Sequence, residues 1–116
     1  GTMLVSGSQK ISDDNFTLVA INLPASTFGL FIYSDTTNQV AVGDGFLCLG
    51  GSISRLPVTQ SDFLGQMTYK LDFANLPGTG PISSGDTRHF QLWYRDSGFG
   101  TSGYNFTDGI TVPFCD

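Results

Sequence analysis

Apolar and polar residues alternate with a period of two along most of the chain. The segment 15–24, "NFTLVAINLP", puts Phe16, Leu18 and Ala20 on one side and the residues between them on the other. Pro24 ends the segment, because a proline has no N–H to donate to a neighbouring strand. This alternation predicts a half-buried β-strand.

Short-period apolar segments recur along the rest of the chain, each bounded by turn-forming residues such as Gly, Pro, Asn or Asp. They are 28–35 "FGLFIYSD", 38–56 "NQVAVGDGFLCLGGSISRL", 65–73 "GQMTYKLDF", 88–96 "RHFQLWYRD" and 109–115 "GITVPFC". No segment has a convincing helical period. Short strands separated by regular turn signals predict an all-β fold, a single antiparallel β-sandwich of about seven or eight strands.

Length and composition agree with one such domain. The chain has 116 residues, of which 15 are glycine and only 13% are charged. Glycine-rich, charge-poor sequences with many aromatic residues are typical of strands and turns. We expect residues 1–3 to be a cloning remnant and residues 4–116 to form the β-sandwich domain.

The charge pattern excludes some classes of partner. The formal net charge is −5, and the five Lys and Arg residues are scattered along the chain. Without a basic patch, we expect no nucleic-acid partner and no attraction to an anionic membrane. No apolar run is long enough for a transmembrane helix, so we expect no membrane insertion.

The two cysteines, Cys48 and Cys115, lie far apart in the sequence. We expect a disulfide between them that ties the last strand to the middle of the chain, although two free thiols are the alternative. A disulfide would contribute about 4 kcal/mol by closing a long loop. It would also indicate an oxidising, extracellular location.

Residues 98–103, "GFGTSG", match the G-x-G-x-x-G pattern of a dinucleotide-binding turn. That turn needs a following helix whose N-terminus binds the pyrophosphate. The next residues, "YNFTDGITVPFCD", have no helical pattern. We therefore interpret the glycines as a wide loop between two strands, and we expect no cofactor.

Catalytic groups are scarce. His89 is the single histidine, and all ten acidic residues are aspartate. Ser84, Asp86 and His89 are close in sequence, but a catalytic triad is rarely built from neighbours along one segment. We interpret "SSGDTRH" as a turn with Ser and Asp capping backbone amides, and we expect that the protein is not an enzyme.

Three aspartates are weak candidates for calcium binding, because calcium prefers carboxylate and carbonyl oxygens in loops. Asp44 lies in a Gly-Asp-Gly turn, and Asp96 and Asp108 flank the glycine-rich loop. No EF-hand spacing occurs. Structural turns are the favoured interpretation of all three.

The strongest functional candidate is the segment around Trp93. Since Leu92 and Tyr94 have the pattern of core residues, Trp93 should share the other face with Gln91 and Arg95. An aromatic ring beside hydrogen-bonding groups can stack on a sugar and bind its hydroxyls. Phe99 and Tyr104 in the following loop could extend this platform. The alternative is that Trp93 is a core residue and Tyr94 faces outward.

Four blocks of the sequence resemble a domain found near the C-termini of large secreted or surface proteins of environmental bacteria. The blocks are a "GLFxY" strand, a "GDGFLCxGG" segment followed by Arg, a "WYRD" strand and a final "NFxDGxxVxF" strand. The matching residues are Gly29, Leu30, Phe31, Tyr33, Gly43, Gly45, Phe46, Cys48, Gly50, Gly51, Arg55, Trp93, Tyr94, Arg95, Asp96, Asn105, Phe106, Asp108, Gly109, Val112 and Phe114.

This resemblance covers residues from about 28 to 115 and assigns no catalytic residue. It implies an extracellular or cell-surface accessory domain, joined to other domains of a longer parent chain. Together with the Trp93 platform, it leads us to expect a carbohydrate-binding domain that recognises a polysaccharide or cell-surface glycan. The alternative is a structural, sorting or cell-surface attachment domain that has no ligand of its own.

Overall fold

The protein is all-β, with antiparallel sheets. The computed structural model describes residues 2–42, 45–51, 53–73, 82–95 and 104–115. Within them lie eleven strands and one 3-10 turn at Ile11–Asp13, and there is no α-helix in these ranges. The strands are β1 Thr2–Ser6, β2 Thr17–Ile21, β3 Phe28–Ser34, β4 Thr36–Val42, β5 Gly45–Gly50, β6 Ser54–Arg55, β7 Thr59–Gln60, β8 Met67–Lys70, β9 Thr87–Arg95, β10 Tyr104–Phe106 and β11 Ile110–Pro113.

The strands form three sheets. A three-stranded sheet has the order β1-β2-β8, and a two-stranded hairpin consists of β4 and β5. The largest sheet has the order β10-β9-β3-β6, with β11 also paired to β9 and β7 to β3. The long strands β9 and β3 are therefore central, and each is flanked on its outer side by two short strands that follow one another along its length.

The three-stranded and the largest sheets share one hydrophobic cluster. The former contributes Leu18 and Met67, and the latter contributes Phe31, Phe90 and Leu92. All five are at most 1% exposed. These residues recur at every second position of their strands, as the alternation predicts.

Aromatic rings fill the end of this cluster where the chain returns after β11. The ring centroids of Phe114 lie 5.1 Å from Phe16, 5.6 Å from Phe73 and 6.2 Å from Phe90, with interplanar angles of 74° to 82°. Edge-to-face pairs at these distances stabilise a core by about 0.5–1.5 kcal/mol each beyond the area they bury.

The expected disulfide is wrong, because Cys48 and Cys115 form no disulfide and are too far apart to bond. Cys48 lies beside Gly109, where an added Cβ would be 3.1 Å from the Cys48 Cβ. From Gly109 the chain runs through the extended strand β11, which carries Cys115 about 20 Å further along. There Cys115 donates its N–H to the carbonyl oxygen of Gln9 at 3.2 Å.

The first residues of the chain take part in the fold. Thr2 and Met3, assigned above to a cloning remnant, lie in β1. Met3 pairs with Ala20 and is only 3% exposed, as part of the hydrophobic cluster. Thr2 and Met3 therefore belong to the three-stranded sheet.

Candidate functional site

The candidate site lies on β9, whose two faces differ in character. Phe90, Leu92 and Tyr94 belong to the hydrophobic cluster, whereas Trp93 does not and is partly exposed. The alternation thus puts Tyr94 in the core and Trp93 on the opposite side of the sheet, and the alternative with Trp93 in the core is wrong. We call this opposite side of β3, β9 and β10 the outer face.

Strand register aligns Trp93 with apolar neighbours on the outer face. Leu30 of β3 and Phe106 of β10 both lie directly opposite Trp93. The rings of Trp93 and Phe106 are nearly parallel, with an interplanar angle of 17° and centroids 6.3 Å apart. Directly opposed side chains on adjacent strands are close enough to pack, so these residues form one row across the sheet.

A cation and a second aromatic residue adjoin this row. The guanidinium carbon of Arg55, on β6, lies 5.8 Å from the centroid of the Trp93 ring, which is within cation–π distance. Phe28 begins β3, two residues before Leu30, and its side chain is 54% exposed. Since residues two apart on a strand share a face, Phe28 extends the apolar row towards the end of the sheet.

Gln91, predicted to be part of the platform, is instead fully buried at 0% exposure. Its Oε1 accepts the N–H of Cys48 at 2.9 Å, and its Nε2 donates to the carbonyl oxygen of Thr107 at 2.6 Å. Strand β5 therefore contacts the outer face at this point. A side chain whose amide is used in this way cannot contact a ligand, so Gln91 is removed from the platform.

Arg95 is exposed at the end of β9, and its carbonyl oxygen accepts the hydroxyl of Thr27 at 2.7 Å. Tyr104 lies opposite Arg95 in the register of β9 and β10. The backbone of Tyr104 therefore lies on β10 beside the end of β9, rather than in a loop, and its expected role in the platform stays a prediction. Phe99 and the glycine pattern 98–103 lie outside the described residues.

We define the Trp93 face as Phe28, Leu30, Arg55, Trp93, Arg95 and Phe106. Sequence reasoning missed four of these as site residues: Phe28, Leu30, Arg55 and Phe106. Phe106 could have been inferred from its two-residue spacing from Tyr104, which places both on one side of a strand. The position of Arg55 depends on the pairing of β6 with β3, which the alternation pattern does not specify.

The other candidate groups have structural contacts. Asp108 accepts the N–H of Met3 at 2.7 Å, while Asp44 and Asp96 lie outside the described residues. Across the part of the chain that the structure describes, no three His, Cys, Asp or Glu residues are grouped to hold a metal. Asp86 accepts the N–H of Ser83 at 2.9 Å, as expected for a capped turn.

His89 lies on the outer face, and among the described residues it forms no ion pair with an acid. Its Nδ1 is 2.8 Å from the hydroxyl oxygen of Thr111, on the adjacent strand β11. Asp86 instead lies 3.6 Å from the guanidinium of Arg88. The candidate triad is therefore not assembled, because Ser84 and Asp86 lie in a turn and His89 contacts a neighbouring strand.

Tyr33 of β3 is a buried titratable group on the core side of the same sheet. It pairs with Ser54 of β6 and is 0% exposed. Burial raises the pKa of Tyr33 above its usual 10.0, and a side-chain hydrogen bond with Ser54 partly opposes this shift. Tyr33 is therefore a neutral core residue at physiological pH.

Comparisons with protein-family models, curated proteins and solved structures found no match to this chain. No helix in the described ranges is long and apolar enough to cross a membrane.

Proposed function

We propose that this protein is a non-catalytic carbohydrate-binding domain whose ligand, a polysaccharide or cell-surface glycan, stacks on the Trp93 face. The observation that carries the proposal is the pair of nearly parallel rings, Trp93 and Phe106, on the outer face of the largest sheet. Both side chains are partly exposed. An aromatic face packs against the apolar C–H surface of a sugar ring, and neighbouring polar groups bind its hydroxyls.

The position of the rings on paired strands favours this function. Trp93 lies between Leu30 and Phe106 in a continuous antiparallel ladder, so its backbone is held on both sides. A site on paired strands is held more rigidly than a site on a loop. Less conformational entropy is then lost when a ligand binds.

We further propose that the two sheets around the shared cluster make a β-sandwich. We also propose that the domain is an extracellular accessory unit of a longer bacterial protein. This location is supported by the sequence resemblance. The cysteines do not support it, because Cys48 and Cys115 form no disulfide.

We also propose that the protein is not an enzyme, because the candidate acid and base side chains contact other parts of the protein and not one another. Among the described residues, His89 contacts Thr111 and Asp86 caps a turn. General acid–base catalysis needs such groups within reach of one reacting atom.

One observation favours the alternative of a structural or attachment domain. Trp93 already contacts Phe106 and Arg55 within the protein. If these contacts serve only the fold, replacing Trp93 costs stability and affects no ligand.

Affinity electrophoresis and pull-down against a panel of soluble and insoluble polysaccharides separate the two functions. We expect the wild-type protein to bind at least one polymer and Trp93→Ala to lose that binding while remaining folded. The control is Phe63→Ala, because Phe63 is 81% exposed on a turn outside the Trp93 face. If no polymer binds, or if Trp93→Ala costs about 3–5 kcal/mol as a core truncation does, the structural role is correct.

A further inference from the structure

Two of the five cationic residues of this acidic chain lie on the Trp93 face. Arg55 reaches it from β6 and Arg95 from the end of β9, and both side chains are exposed. The net charge of the chain is −5, whereas the Trp93 face as defined has two cations and no carboxylate.

Of the three other cations, Lys70 and Arg88 lie near carboxylates, whereas Lys10 forms no ion pair with a described residue. The Lys70 Nζ lies 4.0 Å from Asp14, and the guanidinium of Arg88 lies 3.6 Å from Asp86. Within the described residues, neither Arg55 nor Arg95 forms an ion pair. Both exposed side chains lie on the side of the sheet that carries the aromatic row.

The register sets the spacing of the two arginines. Arg55 lies opposite Ile32 of β3, and Arg95 follows Tyr94, which lies opposite Gly29. Strand geometry then separates the two Cα atoms by about 15 Å, with the Trp93 row between them. A ligand that contacts both cations must be longer than one sugar ring.

We propose that the Trp93 face binds an acidic polysaccharide. One sugar ring stacks on Trp93 and Phe106, and carboxylate or sulfate groups on flanking sugars accept hydrogen bonds from Arg55 and Arg95. A guanidinium presents a planar set of N–H donors that matches these anionic groups. This inference rests on the proposed carbohydrate-binding function and specifies its ligand class.

The charge balance favours an acidic polysaccharide over single-stranded nucleic acid, although both combine rings and anions. Binding to a nucleic-acid backbone depends on many cations along a track. The Trp93 face has two, on a chain with a net charge of −5. A polymer with less closely spaced charges fits two arginines separated by an aromatic row.

The test compares the affinity of the wild-type protein for alginate, dextran sulfate, neutral dextran, insoluble cellulose and a single-stranded oligothymidylate. Arg55→Gln and Arg95→Gln each remove one guanidinium, and Arg55→Lys keeps the charge but loses the planar set of donors. The control is Lys10→Gln, which changes the net charge equally at an exposed site. Thermal unfolding of every variant verifies that it folds.

We expect binding to alginate or dextran sulfate that weakens at high salt and falls roughly tenfold with each arginine replacement. Arg55→Lys should give an intermediate loss and Lys10→Gln almost none. Which polymer binds identifies carboxylate or sulfate as the anionic group.

Three results would overturn this inference. Salt-insensitive binding of a neutral polymer, unaffected by the arginine variants, would refute the acidic ligand but leave the carbohydrate-binding function intact. Absence of binding to every polysaccharide would refute both. Tighter binding of the oligothymidylate than of either acidic polymer would identify a nucleic-acid surface instead.

Discussion

Replacing Gln91 with alanine should destabilise the protein strongly, although the sequence pattern assigns Gln91 to an exposed face. Its amide connects β9 to Cys48 of β5 and to Thr107 after β10. Alanine would leave the Cys48 N–H and the Thr107 carbonyl oxygen without these partners. A buried polar group that loses its partner costs about 1–3 kcal/mol.

The two lost hydrogen bonds are not equivalent. Thr107 is 3% exposed, so its carbonyl oxygen is poorly placed to bind water instead, whereas Cys48 is only partly buried. We therefore assign roughly 2 kcal/mol to the hydrogen bond with Thr107 and roughly 1 kcal/mol to the one with Cys48. The expected loss of unfolding free energy is about 3 kcal/mol in total. In a domain of this size, such a loss lowers Tm by about 12 °C.

Urea unfolding of the wild type, Gln91→Ala and Gln60→Ala measures this effect. Gln60 is a matched control, because its Nε2 donates to the carbonyl oxygen of Ser26 at 3.2 Å but its side chain is exposed. Gln60→Ala should cost less than about 0.5 kcal/mol. If Gln91→Ala costs no more than the control at an unchanged m-value, the role assigned to the buried amide is refuted.

Three further predictions concern redox state, pH and backbone strain. In the native protein, Cys115 and then the less exposed Cys48 should alkylate without reductant, and mass spectrometry showing no alkylation would contradict free thiols. Because the pKa of Tyr33 is raised in the folded state, the contribution of Tyr33 to stability should be constant below about pH 10 and fall above it, by up to about 1.4 kcal/mol per pH unit. Tyr33→Phe should remove this component in alkaline urea titrations. Gly65→Ala should cost about 2 kcal/mol or more, because φ is +76° and the new Cβ would collide with a backbone carbonyl oxygen. Gly85→Ala, at φ +89° with open space, should cost less, and equal Tm losses for the two variants would contradict the steric argument.

The alternation of apolar residues predicts which face of an individual strand is buried in the core. The faces of β2 and β9 follow directly from the sequence, because a residue buried beneath a sheet recurs at every second position. The same argument separates Tyr94 from Trp93. The number of strands was underestimated, partly because β6 and β7 are only two residues long and have no measurable period.

The failures concern contacts between segments far apart in the sequence. The alternation places Gln91 on the outer face, as observed, but β5 covers Gln91 there. A local sequence pattern contains no information about a contact with a distant strand. Arg55 reaches Trp93 only through the pairing of β6 with β3. The presence of two cysteines predicts a disulfide but does not specify their positions in the fold. The extended strand β11 places Cys115 far from Cys48.

The most direct test of the central claim uses Trp93 itself, because it is the only tryptophan in the chain. Acrylamide quenching of its fluorescence measures how much of the ring is accessible, with and without a saturating polysaccharide. If the Trp93 face binds the glycan, quenching should decrease as the polymer is added, and it should stay high with a polymer that does not bind. A polysaccharide that binds the protein in affinity electrophoresis but leaves the quenching of Trp93 unchanged would contradict the account.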